Sequence, residues 1–265
     1  MYLSLNLEYN NFKKKFFELT GFNLDCYKDK QMERRIRQFI KNANIDNFYT
    51  YYKLIKKNEQ ERIRFLNFLT INTTSFFRDI PVFEKLEKIV FPELIHRKKT
   101  NMKIWSAGCS VGAEPYSIAI LMKKFKKRRA SDYKVIATDI DEVALEKAKA
   151  GIFEEQQLKS LYKKTIKEDF MRIGNQFKIK PELQNNIVFK KHDLLSSFYE
   201  SNFDLILCRN VFIYFTQEAQ DNVIKKFANS LNPQGYFVLG SSENIVDHER
   251  FDLKKVEVTI FQKKQ

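Results

Sequence analysis

"KIWSAGCSVGAEPYSIAILMKKF", Lys103–Phe125, reads as strand, small-residue turn and helix. The apolar run Lys103–Ser106 gives way to Ala107, Gly108, Cys109, Ser110 and Gly112, all small, before a long apolar stretch at helical spacing. Small residues between a strand and a helix let a ligand approach the backbone, as in nucleotide-binding α/β sheets. The spacing here is neither G-x-G-x-x-G nor the P-loop ending G-K-[ST]. Glu114 also puts a carboxylate where a phosphate binder presents bare N–H groups.

Working outward from that unit, the C-terminal part alternates strand and helix. Strands are predicted at Lys103–Ser106, Lys134–Thr138, Asn186–Lys190, Asp204–Cys208, Gly235–Leu239 and Val256–Gln262, with helices starting near Glu114, Asp141 and Gln217. Such alternation predicts a mostly parallel sheet covered on both faces, with ligands at the carboxyl ends of its strands. The last strand follows its predecessor too closely for a crossover helix, so it is expected to run antiparallel; the sequence places no seventh strand. Between Gly151 and Asn185 the alternation breaks, and Gly174–Asn175 can turn a small hairpin.

Up to about Thr74 the pattern is helical. Phe12, Phe16 and Leu19 form one stripe that stops at Gly21; a second helix runs from about Lys28 to Asn42; Asp46 is placed to cap a third carrying Phe48, Tyr51, Tyr52 and Ile55; a fourth from Glu59 carries Ile63, Leu66 and Leu69. The expected architecture is therefore α/β, a Rossmann-like sheet over 75–265 with an insert at 151–185 bearing a small β subdomain, preceded by a small all-helical domain over 1–74.

Composition narrows the partners. The chain of 265 residues is 43% hydrophobic and 14% aromatic, with a formal charge of +14. That excess favours an acidic partner, although a Lys- and Asn-rich composition can also arise without a functional cause. Cys26, Cys109 and Cys208 stand far apart, and with His96, His192 and His248 they show no metal-ligand spacing. A reduced, cytoplasmic setting and a soluble chain without a signal peptide or membrane span are expected.

The strand tips carry the chemistry. Asp139 ends the second strand, Asp193 the third, and Glu114 opens the helix after the first. Three carboxylates in one crevice would repel a pyrophosphate. S-adenosylmethionine, with a sulphonium and an ammonium and no phosphate, suits them: Glu114 accepting from the ammonium, Asp139 from the ribose hydroxyls and Asp193 from the adenine amino group. The competing reading is that such Asp residues merely cap the helices that follow. At the fourth strand tip "LILCRNVFIYF" contains no proline, unlike amino-methylating nucleic-acid enzymes, and Cys208 reads as a buried apolar group.

Five segments, "NTTSFFRD" (Asn72–Asp79), "WSAGCSVGAEPYSIAI" (Trp105–Ile120), "ATDID" (Ala137–Asp141), "GIFEEQQLK" (Gly151–Lys159) and "CRNVFIYF" (Cys208–Phe215), resemble the chemotaxis-receptor glutamate O-methyltransferase family, CheR-type, in the family's order. The resemblance implies methyl-ester formation on glutamate side chains of methyl-accepting chemotaxis receptors, with S-adenosylmethionine as cofactor. It implies that Asn72, Thr74, Arg78, Glu114, Asp139, Asp193, Leu194, Arg209 and Asn210 form the cofactor pocket, with Arg78 also holding the substrate carboxylate and Tyr214 near the transferred methyl. Better-known members carry Asn where this chain has Asp193. The connection Ile173–Gln176 is short against members that tether to a receptor's C-terminal peptide, which predicts docking without a tether. Lys30, Arg34, Arg37 and Lys41 recur at spacings of four, three and four, and their positive stripe could lie along an acidic receptor helix. The alternatives are an RNA methyltransferase, suggested by the basic charge, and a non-catalytic cofactor-binding adaptor.

Overall fold

A computed structural model describes residues 2–70, 72–98, 101–125, 132–195 and 198–265, which form two compact units. The first comprises residues 1–71 together with Tyr214–Asn222; the second holds the rest.

The first unit is helical: α1 (Tyr2–Thr20), α2 (Asp29–Asn42), α3 (Phe48–Lys57) and α4 (Glu59–Leu69). Aromatic side chains hold it together. Phe65 is fully buried, with its ring centroid 5.2 Å from Phe16, 5.0 Å from Tyr51 and 6.0 Å from Phe12. A Phe→Ala change in such a site costs about 3–5 kcal/mol. The inward face of α4 is Phe65 and Leu69, whereas Ile63 is 46% exposed, so the expected stripe is rotated. The cap of α3 is also shifted by one residue. Asn47, not Asp46, accepts the Thr50 N–H at 2.8 Å. A side-chain oxygen caps best one residue before the first helical turn, and Asn47 holds that place with an extended backbone.

The second unit begins with a continuous helical rod, α5 (Ile80–Lys85), a π-helical stretch at Leu86–Val90, and α6 (Phe91–Lys98). Then follow β1 (Met102–Ala107), α7 (Ala113–Lys123), β2 (Tyr133–Asp139), α8 (Glu142–Ala150), β3 (Ile152–Glu154), α9 (Lys163–Asp169), β4 (Phe170–Ile173), β5 (Gln176–Ile179), α10 (Pro181–Gln184), β6 (Ile187–Lys191), β7 (Phe203–Leu207), α11 (Gln217–Ser230), β8 (Leu231–Val238), β9 (Leu253–Glu257) and β10 (Ile260–Lys263). Helix α11 belongs to the helical unit through Asn222 and to the sheet unit from Val223.

Seven strands form the main sheet in the order β6-β2-β1-β7-β8-β10-β9. The first five are parallel and β10 runs antiparallel to β8. The segment expected as one strand, Val256–Gln262, is in fact a hairpin: Glu257 pairs with Ile260 across Val258–Thr259, and β9 is the seventh strand. Neither turn residue is Gly or Asn, so the usual hairpin signal is missing. The Gly174–Asn175 hairpin forms as expected from β4 and β5, and β3 adds a third strand.

The chain leaves β1 towards β2 on one side and returns to β7 on the other. The sheet therefore has its switch point at the carboxyl end of β1, where the crevice of a doubly wound sheet opens. Beneath it lies Trp105, 2% exposed, stacked on Phe203 at 5.0 Å and edge-on to Phe227 at 5.1 Å. Its indole N–H donates to Thr138 Oγ1 at 2.8 Å, which fixes the tips of β1 and β2 to each other.

Candidate active site

At the tip of β1, Gly108 and Cys109 both donate their N–H groups to the Thr138 carbonyl, at 2.8 and 2.9 Å, so the turn folds over the end of β2. Gly108 has φ +79, and a Cβ there would lie 2.7 Å from Val211 Cγ2; Gly112 has φ +92 and would meet Ala148 Cβ at 2.9 Å. Both glycines are thus required by conformation and by space.

Asp139 ties this turn to the second strand. Its Oδ2 accepts the Ser110 N–H at 2.7 Å and its Oδ1 the Asp141 N–H at 3.0 Å. Burial raises the Asp139 carboxyl above its ordinary range, opposed by the N–H donors of Asp141 and Ser110. Each oxygen keeps lone-pair capacity for a hydroxyl donor. Asp193 differs: its Oδ1 accepts the N–H of Leu195 two residues on at 2.8 Å, a short-range turn. Leu194 beside it is buried, and its carbonyl accepts the Tyr199 hydroxyl at 2.6 Å.

Glu114 is already engaged. Its Oε1 accepts from Ser106 Oγ at 2.7 Å and its Oε2 from Arg209 Nη1 at 3.0 Å. Arg209, whose side chain is 2% exposed, also reaches Asp79 Oδ2 at 3.0 Å, donates to the Arg78 carbonyl and lies 5.2 Å from the Phe83 ring. This buried cation offsets two carboxylates and fastens the Asn72–Asp79 loop to the tip of β7. Arg209 therefore holds the wall of the crevice from behind, and among the described residues its buried Nε has no partner.

The loop itself is pinned at several points. Asn72 Nδ2 donates to Asp141 Oδ2 at 2.6 Å, Ser110 Oγ donates to Asn72 Oδ1 at 3.0 Å, and the Phe77 N–H donates to Ser117 Oγ at 2.9 Å. Arg78 Nη1 donates to the Thr73 carbonyl at 2.8 Å, folding the side chain back over Thr73 and Thr74 of its own loop. Phe77, Asp79, Ser110 and Asn210 have φ of 46, 58, 50 and 60, left-handed values for non-glycine residues. That such conformations gather on three converging segments marks a site held in place by its surroundings.

Sequence reading missed Glu243. This buried carboxylate accepts the Asn210 and Gly240 N–H groups on Oε2 at 2.7 and 2.8 Å and the Phe212 N–H on Oε1 at 2.8 Å. The signal was available, since "GSSE" follows a strand end just as Asp139 and Asp193 do. Ser106 and Asp141 were missed as partners of Glu114 and Asn72. The thiols of Cys109 and Cys208 are pushed well up by burial, which suits apolar packing and not nucleophilic attack.

Residues 72–261 match the family described as CheR methyltransferase, SAM binding domain, and residues 7–70 match CheR methyltransferase, all-alpha domain. The chain belongs to the CheR methyltransferase family. The chemotaxis protein methyltransferase of Listeria innocua is 38% identical over 88% of each chain, and that of Listeria monocytogenes 37% identical over the same shares. The Escherichia coli chemotaxis protein methyltransferase is 33% identical over 88% of this chain and 83% of its own. As a CheR methyltransferase the protein is an S-adenosylmethionine-dependent enzyme. The crevice fits that cofactor, for Asp139 offers free acceptor capacity and the negative charge of Glu114 is only partly offset by Arg209.

Two sets of predicted residues lie in the helical unit. Tyr214 is fixed there by its carbonyl, which accepts the Lys28 N–H at 2.9 Å, while the next residue, Phe215, bridges to Tyr27. Lys30, Arg34, Arg37 and Lys41 line one shallow recess on α2. Lys30, Arg34 and Lys41 are exposed, but Arg37 is half-buried, paired with Glu33 at 2.7 Å and lying 4.5 Å from the Phe48 ring. Among the described residues no helix is long and apolar enough to cross a membrane, and no cluster of three His, Cys, Asp or Glu side chains could hold a metal.

Proposed function

We propose that this enzyme methylates glutamate side-chain carboxylates of methyl-accepting chemotaxis receptors, in the cytoplasm, giving methyl esters. The observation that carries the reading is the Asp139 carboxylate, anchored by the β1 turn yet with acceptor capacity free, opposite a partly neutralised Glu114. That arrangement suits a ligand with ribose hydroxyls and a cationic amino-acid end, and the relatives are chemotaxis protein methyltransferases.

Within it, Asp139 holds the ribose hydroxyls, Glu114 the ammonium, Asp193 and Leu194 the adenine, and Asn72, Thr74 and Asn210 complete the wall with Arg209 behind them. The cofactor, when bound, supplies an electrophilic methyl group. A glutamate carboxylate, with an ordinary pKa of about 4.3, is ionised at neutral pH and needs no general base. The task left to the protein is alignment. Arg78 uses one nitrogen on Thr73 and has further donors for the substrate carboxylate, which Tyr214 helps to orient. Lys30, Arg34 and Lys41 steer an acidic receptor helix; Arg37, already paired, contributes to the recess as structure. We assign 1–74 as the helical N-terminal domain and 75–265, with its insert at 151–185, as the methyltransferase domain, and docking without a peptide tether.

The test is methyl transfer from radiolabelled S-adenosylmethionine to a receptor cytoplasmic fragment and to total RNA in parallel. Label on the receptor released by mild alkali as methanol is the expected result. Alkali-stable label on RNA would replace this reading with the nucleic-acid one.

A further inference from the structure

Glu243 spends a buried charge on backbone. It is 6% exposed, and the partners of its two oxygens are the N–H groups of Asn210, Phe212 and Gly240. Those three amides come from the loops leaving β7 and β8, so one carboxylate draws two adjacent strand tips together. A charge in such a place is costly unless well bonded, and an apolar side chain would close the gap between the strands at lower cost. An apolar residue, however, could not hold the Asn210 peptide, whose φ of 60 is left-handed. Gly240 makes room for the arrangement. A Cβ there would lie 2.8 Å from Glu243 Oε2, 2.9 Å from Asn210 Nδ2 and 3.0 Å from the Asn210 nitrogen. The Glu243 N–H in turn donates to the Gly240 carbonyl at 3.0 Å, which closes the turn on itself.

We propose that Glu243 is a positioning residue for the cofactor pocket: its carboxylate clasps the Asn210, Phe212 and Gly240 amides and so fixes Asn210 against the bound cofactor, with Arg209 held behind it. This deepens the proposed function and rests on its placing Asn210 in that pocket.

Glu243→Gln keeps size but offers an acceptor on one side and an NH2 group on the other, so one set of amides loses its partner. Hydrogen bonds to a charged group are strong enough that S-adenosylhomocysteine affinity, measured by calorimetry, should fall about tenfold or more. The KM for S-adenosylmethionine should rise by more than kcat falls. Gly240→Ala should give a similar loss, and the two changes together should cost less than the product of the single losses, because both break one clasp. Glu243→Gln protein that melts at a lower temperature yet binds S-adenosylhomocysteine as the wild type does would overturn the proposal, leaving Glu243 as packing alone. Hydrogen exchange on the intact protein needs no variant. The amides of Asn210, Phe212 and Gly240 should be protected without ligand, and exchange at the rate of an open loop would also overturn it. Protected amides in a protein that binds no S-adenosylhomocysteine would sink the cofactor reading while leaving the clasp.

Discussion

Two charged regions of the molecule, the strand tips and the outer face of α2, are built in opposite ways. At the strand tips every charged group is internally engaged: Arg209 between Glu114 and Asp79, Asp139 on two backbone amides, Glu243 on three. On α2, Lys30, Arg34 and Lys41 stand exposed along one face, and only Arg37 is tied down. The first arrangement is held by its own internal bonds. The second is solvated, and the electrostatics of such an exposed face are weakened by salt.

The difference can be broken most violently at Arg209. Arg209→Ala leaves Glu114 and Asp79 without their buried counter-charge, and loss of one partner from such a group costs about 3–5 kcal/mol. Thermal unfolding should show a large drop in midpoint, and methyl transfer should be lost. A near-normal midpoint would mean that water replaces the guanidinium and that the tips are less dry than the geometry implies.

A smaller effect is expected from pH acting on Asp139. Its pKa is raised, so in the folded protein the carboxyl takes up a proton at a pH where the unfolded chain is still ionised. Its contribution to stability is therefore present below the unfolded value and lost as pH rises through the folded one; acid protonates the site before it unfolds the protein through this group. Affinity for S-adenosylhomocysteine should decline on acidification above the ordinary Asp range, while the apo protein stays folded. Asp139→Asn should bind weakly, by about tenfold or more, and without that decline. An unchanged pH dependence in Asp139→Asn would place the titrating group elsewhere.

The mildest outcome belongs to α2. Arg34→Glu combined with Lys41→Glu should slow receptor methylation several-fold at low salt, with the deficit shrinking as salt is added, and should leave S-adenosylhomocysteine affinity unchanged. Equal receptor turnover would remove the docking role and leave the stripe as a solvated helix face.

The same contrast explains what could be read in advance. Helix α2 was legible almost to the residue because exposed charges and buried Met32, Ile36 and Ile40 repeat at one period. The strand-tip residues Glu114, Asp139 and Asp193 were legible by position, since a parallel sheet places its strand ends together whatever the intervening chain does. What joins them was not legible. That Arg209 would pair with Glu114, 95 residues away, and that Asn72 would meet Asp141, 69 away, depends on loop paths that no local pattern encodes. Asp139 and Asp193 look alike in sequence, yet one bridges two strands and the other closes its own turn. The terminal hairpin escaped notice because Val258–Thr259 turns the chain with strand-forming residues.

Strand order also sets a timetable. β1 pairs on one side with β7, and the Lys103 amide meets the Asp204 side chain across 101 positions of chain. Closing so long a loop is slow, and on a ribosome it cannot begin until the second half of the chain has emerged. Until then the turn after β1 lacks its neighbour on the β7 side, and Glu114 lacks its arginine. A nascent chain stopped before Arg209 should bind no cofactor, and it also lacks Tyr214–Asn222 of the helical unit, so the enzyme becomes competent only after the tip of β7 and the start of α11 have been made.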